Sequence, residues 1–486
     1  MDIVVSNRVA RISPGAAVTG GLAAALVPAV QKSGVVWFGA SGRVRRLAPD
    51  VFPLVRVEPH GRGSVATVDL PEQHHAGYYE GFANSVLWPL LHSRGDLVRQ
   101  APADYASYCA VNAFMGRTLA GFGGPNSTYW IHDYHFLNLA RDLRRLGVTG
   151  KIGFFLHTPW PARRMMTQLP QARRIAEAML DYDLIGFQTD DDRANFADFL
   201  AHELGLAPIG ATFNSARGAC RLVTFPIGID AQEFANTAQA AAADPEVQRL
   251  RATYSGCTLM IGVDRIDYSK GLAQRIHALD RLIARHPALK RHLAMLQIAV
   301  PSRSSIDAYR TLQRDLAGLV GTVNGRHSEI DWAPIHYVNK CYDRSVLAGF
   351  YRSAAVGLVT PLRDGMNLVA KEYVAAQNPD DPGVLVLSKY AGAACELEAA
   401  LTVDPYDVDA IAHRIASALS MPRAERRERW QSMMNGLLQH SIHAWFADFM
   451  QELKLPRRNV LPLASARRRA PVRTGSARDQ ALASHS

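Results

Sequence analysis

Cysteine is scarce and poorly placed for cross-linking. Cys109, Cys220, Cys257, Cys341 and Cys395 are odd in number, scattered and never in Cys-x-x-Cys spacing, so neither a disulfide framework nor a cysteine zinc site is expected. Long apolar runs are also missing, and no stretch approaches the roughly 18 residues that a membrane helix needs. The first residues, Met1 to Ser6, lack the basic start of a secretory signal and read as a strand. Together these absences predict a cytoplasmic protein with no membrane partner. No serine sits in a Gly-x-Ser-x-Gly elbow, which removes support for Ser–His–Asp catalysis. No repeat of roughly 20 to 50 residues is present, which excludes a solenoid.

What is present is ordinary globular material, 48% hydrophobic and 20% charged over 486 residues, too long for one core. The net charge of +10 is unevenly placed. Residues 456–486 carry seven Arg and one Asp, so six of the ten surplus charges lie in a segment rich in Pro, Ser and Ala. Such a segment has too little apolar surface to fold, and it predicts a disordered basic tail rather than a nucleic-acid-binding function.

Buried-strand patterns alternate with helix-length periodic stretches, which means parallel sheets covered on both faces. One series runs from Ile3-Val4-Val5 to Leu222-Val223-Thr224-Phe225, and a second from Leu259-Met260-Ile261 to Val384-Leu385-Val386. The class is therefore α/β with two Rossmann-like domains, residues 1–229 and 230–455, followed by the tail. The stretch from about Trp430 to Leu453 reads as one last helix that packs back on a domain, possible targets including the N-terminal one. Ligands of such sheets collect beyond the carboxyl ends of the strands, so two facing sheets predict a deep interdomain cleft.

The densest chemistry is at residues 360–373, TPLRDGMNLVAKEY, where a strand ends and Asp364-Gly365 turns into a helix. The first N–H groups of a helix have no intrahelical acceptor, so those around Asn367, Leu368 and Val369 suit phosphate oxygens, and Glu372 shares a face with Leu368. A second strand-end loop, residues 264–271, carries Arg265 and Lys270, two cations able to neutralise a diphosphate without metal. Surface ion pairing explains those two equally well in isolation. Arg303 follows a further strand of the same series.

The first series supplies candidates for an opposing wall. Arg8 follows the first strand, and Gly20 and Gly21 would let backbone approach a ligand closely. Tyr79 and Trp88 fit either core or a sugar-phosphate pocket. Asp133, with His132 and His135 around it, and His157 end strands where they could meet sugar hydroxyls. The two histidines His132 and His135 lack a third ligand, so no metal is expected. Asp190-Asp191-Asp192 reads as an acidic first helical turn matched to the helix dipole.

The motifs SNR (6–8), TGGL (19–22), WIHDYH (130–135), RIDYSKG (265–271) and RDGMNLVAKE (363–372) closely resemble those of the trehalose-6-phosphate synthases of glycosyltransferase family 20, in order over residues 1 to about 453. The resemblance implies the GT-B architecture, two facing Rossmann-like domains, and a retaining transfer of glucose from a nucleotide sugar, typically UDP-glucose, to glucose 6-phosphate. It implies that Arg265 and Lys270 hold the donor diphosphate with the amides of Leu368 and Val369 beside Asn367. Glu372 takes the ribose, Asp364 and His157 grip the transferred glucose, and Gly20 and Gly21 close over the donor. Arg8, Tyr79, Trp88 and Arg303 would hold the acceptor phosphate sugar, with Asp133 on its hydroxyls. Asp133, His157, Arg265, Lys270 and Asp364 form the implied catalytic group. No cofactor or metal is implied, and a homo-oligomer is common in the family. Ala40 departs from the pattern, since a second Trp is expected there.

Three other functions fit parts of this pattern: a sister transferase using glycerol 3-phosphate, a non-catalytic sugar-phosphate sensor, and a nucleic-acid binder using the basic tail. Deleting residues 456–486 separates the last from the rest. Activity should survive that truncation within about twofold, measured as turnover of the full and shortened chains, because the tail can bury no core.

Overall fold

The computed structural model describes residues 1–9, 26–27, 30–31, 34–46, 53–215 and 218–456. Gly20, Gly21 and all of the basic tail after Pro456 lie outside the described residues.

The first half of the chain contributes ten strands: β1 (Asp2–Arg8), β2 (Val36–Arg45), β3 (Arg56–His60), β4 (Gly63–Pro71), β5 (Thr128–His132), β6 (Ile152–Phe155), β7 (Leu184–Phe187), β8 (Pro208–Ile209), β9 (Thr212–Ser215) and β10 (Gly218–Thr224). They form one sheet in the order β3-β4-β2-β1-β5-β6-β7-β10-β9-β8. The core from β4 to β10 is parallel, with antiparallel ribbons at the two edges. A second sheet holds β11 (Thr258–Arg265), β12 (Leu293–Val300), β13 (Ile335–Val338), β14 (Val356–Val359), β15 (Val384–Ser388) and β16 (Leu401–Val403), all parallel, in the order β13-β12-β11-β14-β15-β16. Central strands such as Ile152–Phe155 and Val384–Ser388 are buried along their whole length, which is why they read as unbroken apolar runs rather than alternating ones. The order reverses between β2 and β5 around β1, and between β12 and β14 around β11. Loops leaving these central strands therefore diverge and open a crevice at the carboxyl edge of each sheet.

Between residues 230 and 258 the chain forms two helices, Ala231–Ala240 and Pro245–Thr253, which pack on helices of the second sheet. The C-terminal stretch expected as one helix is two, Arg423–Gln439 and Ile442–Lys454, broken where Ser441 caps the second through the Ala444 N–H. The cap explains the break: a serine hydroxyl that accepts an N–H three residues on competes with continuation of the helix. The second helix returns to the first sheet. Its Phe449 ring stacks on Trp130 with centroids 4.3 Å apart, and Trp445 lies 4.8 Å from the same indole. Gly153 and Gly186 make room for it, since a Cβ at either would lie under 3.0 Å from the Phe449 ring. Phe449→Ala should remove about 3–5 kcal/mol of unfolding free energy, checked by denaturant titration of the two proteins.

Candidate active site

The carboxyl edges of the two sheets face each other across a cavity of ≈ 600 Å³. From the second half it is lined by Arg265, Lys270, Asp364, Asn367, Leu368, Val369 and Glu372, and from the first by Arg8, Trp88, Asp133 and His157. Eleven of the candidate residues thus line one space.

The wall from the second half is built for negative charge. The helix Leu368–Ala376 starts after Asn367, whose backbone is left-handed at φ 78° and whose side chain accepts the Ala370 N–H at 3.2 Å. Among the described residues the N–H groups of Leu368 and Val369 have no acceptor, and they open on the cavity. Lys270 forms a close ion pair with Asp364, and Asn367 donates to the same carboxylate oxygen at 3.0 Å. Burial alone would raise the Asp364 carboxyl, but Lys270 and Asn367 bring it below the ordinary range. Arg265 differs. It is exposed, makes no ion pair among the described residues and rests 5.6 Å from the Trp88 ring centroid. Glu372 is half-buried, and burial raises its carboxyl to about 7 although Arg344 opposes the shift. Arg344 is itself paired with Glu233 at 2.8 Å.

A buried network supports this wall from beneath. Arg275 is fully buried, donates to Asp264 at 3.0 Å and to Gln297 at 3.0 Å, and reaches the Thr360 hydroxyl at 3.3 Å. Gly262 is the strand position over which the guanidinium lies, since a Cβ there would sit 2.2 Å from Arg275 Nη1. Gly271, at φ 63°, turns the loop into its helix against the Thr360 carbonyl. These contacts tie the β11 loop to the β14 loop, so the two parts of the phosphate-facing wall move as one body.

The opposing wall carries Asp133, non-glycine yet left-handed at φ 73°, whose carboxylate accepts the His157 N–H at 3.3 Å. Burial raises its carboxyl to about 6. His157 lines the cavity, but its ring nitrogens already meet protein groups: Nε2 lies 3.0 Å from His132 Nδ1, and Nδ1 lies 3.4 Å from Gln188 Nε2. Gln188 Oε1 accepts the Ile227 N–H, which orients the amide so that His157 Nδ1 accepts and Nε2 donates. Burial holds His157 at about 3, so it is neutral at physiological pH.

Other candidates are not among the lining residues. His132 and His135 do not reach the cavity: His132 is fully buried between the Trp130 and Phe155 rings, and His135 lies buried beside Tyr79 and Tyr134. Tyr79, on the π-helical turn Ala76–Leu87, stacks on His135 at 6.0 Å and is not among the lining residues. Arg303 sits behind Trp88 rather than in the open. Its guanidinium lies 4.0 Å over that ring and donates to Asp267 at 2.8 Å and to Tyr134 at 3.3 Å. Ala40 is buried in β2 and pairs with Val68 in the neighbouring strand, so the missing Trp leaves a filled sheet position. As expected, Asp190, Asp191 and Asp192 form the acidic first turn of the helix Asp190–Glu203; Thr189 caps that helix, and Asp192 is buried, accepting the Trp160 N–H at 2.8 Å. Among the described residues no group of three or more His, Cys, Asp or Glu converges as a metal site, and no helix is long and apolar enough to cross a membrane.

The strand-end rule also contained Gln188, Arg344 and Asp264, but no motif distinguished them. Gln188 directly follows β7 and Arg344 opens the helix after β13, so position was the available signal.

With this geometry in place, comparison with known proteins is informative. The model of glycosyltransferase family 20 matches residues 10–455. The trehalose-6-phosphate synthase of Sinorhizobium fredii is 44% identical over 454 residues, 93% of this chain and 97% of that protein. A Burkholderia xenovorans alpha,alpha-trehalose-phosphate synthase (UDP-forming), solved in complex with glucose-6-phosphate, superposes with a TM-score of 0.89 at 42% identity, covering 93% of this chain and all (100%) of that one. The Escherichia coli protein bound with UDP-2-fluoro glucose gives a TM-score of 0.87 at 39% identity, covering 94% of this chain and 100% of that one. Motifs, two-sheet GT-B architecture and family match agree over the same span, and the chain belongs to glycosyltransferase family 20.

Proposed function

We propose that the protein transfers glucose from UDP-glucose to glucose 6-phosphate with retention of configuration, giving α,α-trehalose 6-phosphate and UDP, without a metal ion or cofactor. The observation that carries this reading is the meeting of Arg265, Lys270 and the unpaired amides of Leu368 and Val369 around one cavity that also contains Arg8 and Asp133. A diphosphate fits the first group and a phosphorylated sugar the second.

In this reading Arg265 and Lys270 neutralise the diphosphate, and the helix start adds two N–H donors and the positive end of its dipole. Glu372 accepts from the ribose hydroxyls. Asp364, held by Lys270 and Asn367, faces the transferred glucose together with the His157 segment. Its ring nitrogens are occupied, so His157 contributes through backbone and ring surface unless it exchanges a partner. Arg8 and Trp88 meet the acceptor, and Asp133 takes its hydroxyls. Asp364 is engaged by Lys270 and Asn367, and no carboxylate takes a covalent role in this reading. The acceptor hydroxyl attacks on the face that the phosphate leaves, its proton passes to the departing phosphate oxygen, and the cations stabilise the charge growing there.

Incubation with UDP-glucose and either glucose 6-phosphate or glycerol 3-phosphate, with the phosphorylated product identified by mass spectrometry, tests the assignment. A disaccharide phosphate and UDP are expected from the first acceptor; product from the second alone would reassign the acceptor, and product from neither would reject the reading. Arg265→Ala or Lys270→Ala should lower kcat by about 10² or more, and a loss within about threefold would remove their charge-stabilising role. Because Glu372 titrates at about 7 in the free protein and must be ionised to accept from the ribose, UDP affinity should weaken roughly tenfold from about pH 8 to about pH 6. Glu372→Gln should flatten that dependence, as read by calorimetric titration.

A further inference from the structure

Asp267 lies on the donor-side loop between Arg265 and Lys270 and is not one of the cavity's lining residues. Its carboxylate is fully buried and surrounded by donors. Oδ1 accepts the Ser269 N–H at 3.0 Å and the Trp88 indole N–H at 3.4 Å. Oδ2 accepts Arg303 Nη1 at 2.8 Å and the Tyr309 hydroxyl at 3.1 Å. Trp88 belongs to the first half of the chain, whereas Ser269, Arg303 and Tyr309 belong to the second. One carboxylate therefore joins the two walls.

Each of its partners has a defined task. The Arg303 guanidinium lies over the Trp88 ring at 4.0 Å, so the indole is held on its face by the guanidinium and on its edge by Asp267. The guanidinium is held in turn by Tyr309 at 2.8 Å, with Tyr134 of the first half at 3.3 Å. The Ser269 N–H fixes the carboxylate to the turn that carries Lys270. Without the carboxylate, Arg303 would be a buried cation with neutral partners, which is costly and would displace it from the ring.

We infer that Asp267 is a positioning residue that assembles the acceptor wall, by locking Trp88 and Arg303 onto the same loop that presents Arg265 and Lys270 to the donor. This rests on the proposed transferase reading. It follows that one loop serves both substrates, meeting the donor through Arg265 and Lys270 and the acceptor wall through Asp267. A loss at Asp267 should fall on the acceptor and leave the nucleotide grip intact.

Steady-state kinetics of Asp267→Asn and Tyr309→Phe with UDP-glucose and glucose 6-phosphate, alongside UDP binding by calorimetry, tests this. For Asp267→Asn the acceptor KM should rise about tenfold or more while the UDP Kd stays within about threefold of wild type. Tyr309→Phe removes one of the four donors and keeps the charge pair, so it should raise the acceptor KM by about two- to fivefold, also without moving UDP affinity. This second variant decides the matter if Asp267→Asn does not fold. Equal losses in UDP Kd and acceptor KM would mean that Asp267 merely holds the loop together, and unchanged kinetics would mean that it positions nothing; either overturns the inference alone. A wild-type protein with no turnover on glucose 6-phosphate overturns the transferase reading itself.

Discussion

The two halves of the protein touch at a place where only backbone fits. A Cβ on Gly365 would lie 1.9 Å from the His157 carbonyl oxygen, and a Cβ on Gly392 would lie 1.9 Å from the carbonyl of Gly365. Three chain segments, one from the first sheet and two from the second, are thereby stacked without side chains between them. Asp364 and Asn367 flank the middle segment, and Asp133 receives the N–H of His157. The close approach sets the spacing between Asp364 and Asp133, which line the cavity from opposite walls. A single added methyl group would force the walls apart, where displacement of about 1 Å is already costly to a reaction that depends on alignment.

Charge around the cavity is sorted by whether it is already compensated. Lys270 has Asp364, Arg303 has Asp267, Arg275 has Asp264 and Lys371 has Glu396. Arg275, Arg303 and Lys371 thereby hold the scaffold, while Lys270 also borders the cavity. Arg265 and Arg8, in contrast, are exposed and have no carboxylate among the described residues. Arg8 lies against Gly42, which has φ 85° and whose added Cβ would be 3.0 Å from the guanidinium. The uncompensated charge thus sits at two separate points, one on each wall, and a ligand pair carrying phosphate at both is the natural complement.

Alternation of apolar runs with periodic stretches exposed both sheets in the sequence, because buried parallel strands leave a signal in every residue. Strand-end position identified Arg8, Asp133, His157, Arg265, Lys270 and the Asp364–Glu372 segment in the cavity lining for the same reason: topology delivers those loops to one edge. What remained hidden depends on contacts between distant segments. Nothing around Arg303 reveals that Trp88 and Asp267 will cover it, and nothing around His132 reveals that Trp130 and Phe155 will close over it. The break at Ser441 was hidden as well, because the apolar periodicity continues through it. Arg275 illustrates the limit best. In sequence it is one of many arginines on an amphipathic helix, and only the missing Cβ of Gly262 makes space for it in the core.

The backbone passes between the halves twice, and the two passages lean on each other: a Cβ on Gly228 would fall 1.9 Å from the His440 carbonyl oxygen, while the Ile442 N–H donates to the Ile229 carbonyl at 3.3 Å. The helix delivered by the second passage supplies Phe449 and Trp445 to cover Trp130 of the first sheet. A nascent chain leaving the ribosome therefore holds an unfinished first sheet, with an aromatic face uncovered, until nearly every later residue has emerged. The half synthesised first therefore gains its cover last, after the second sheet has been made.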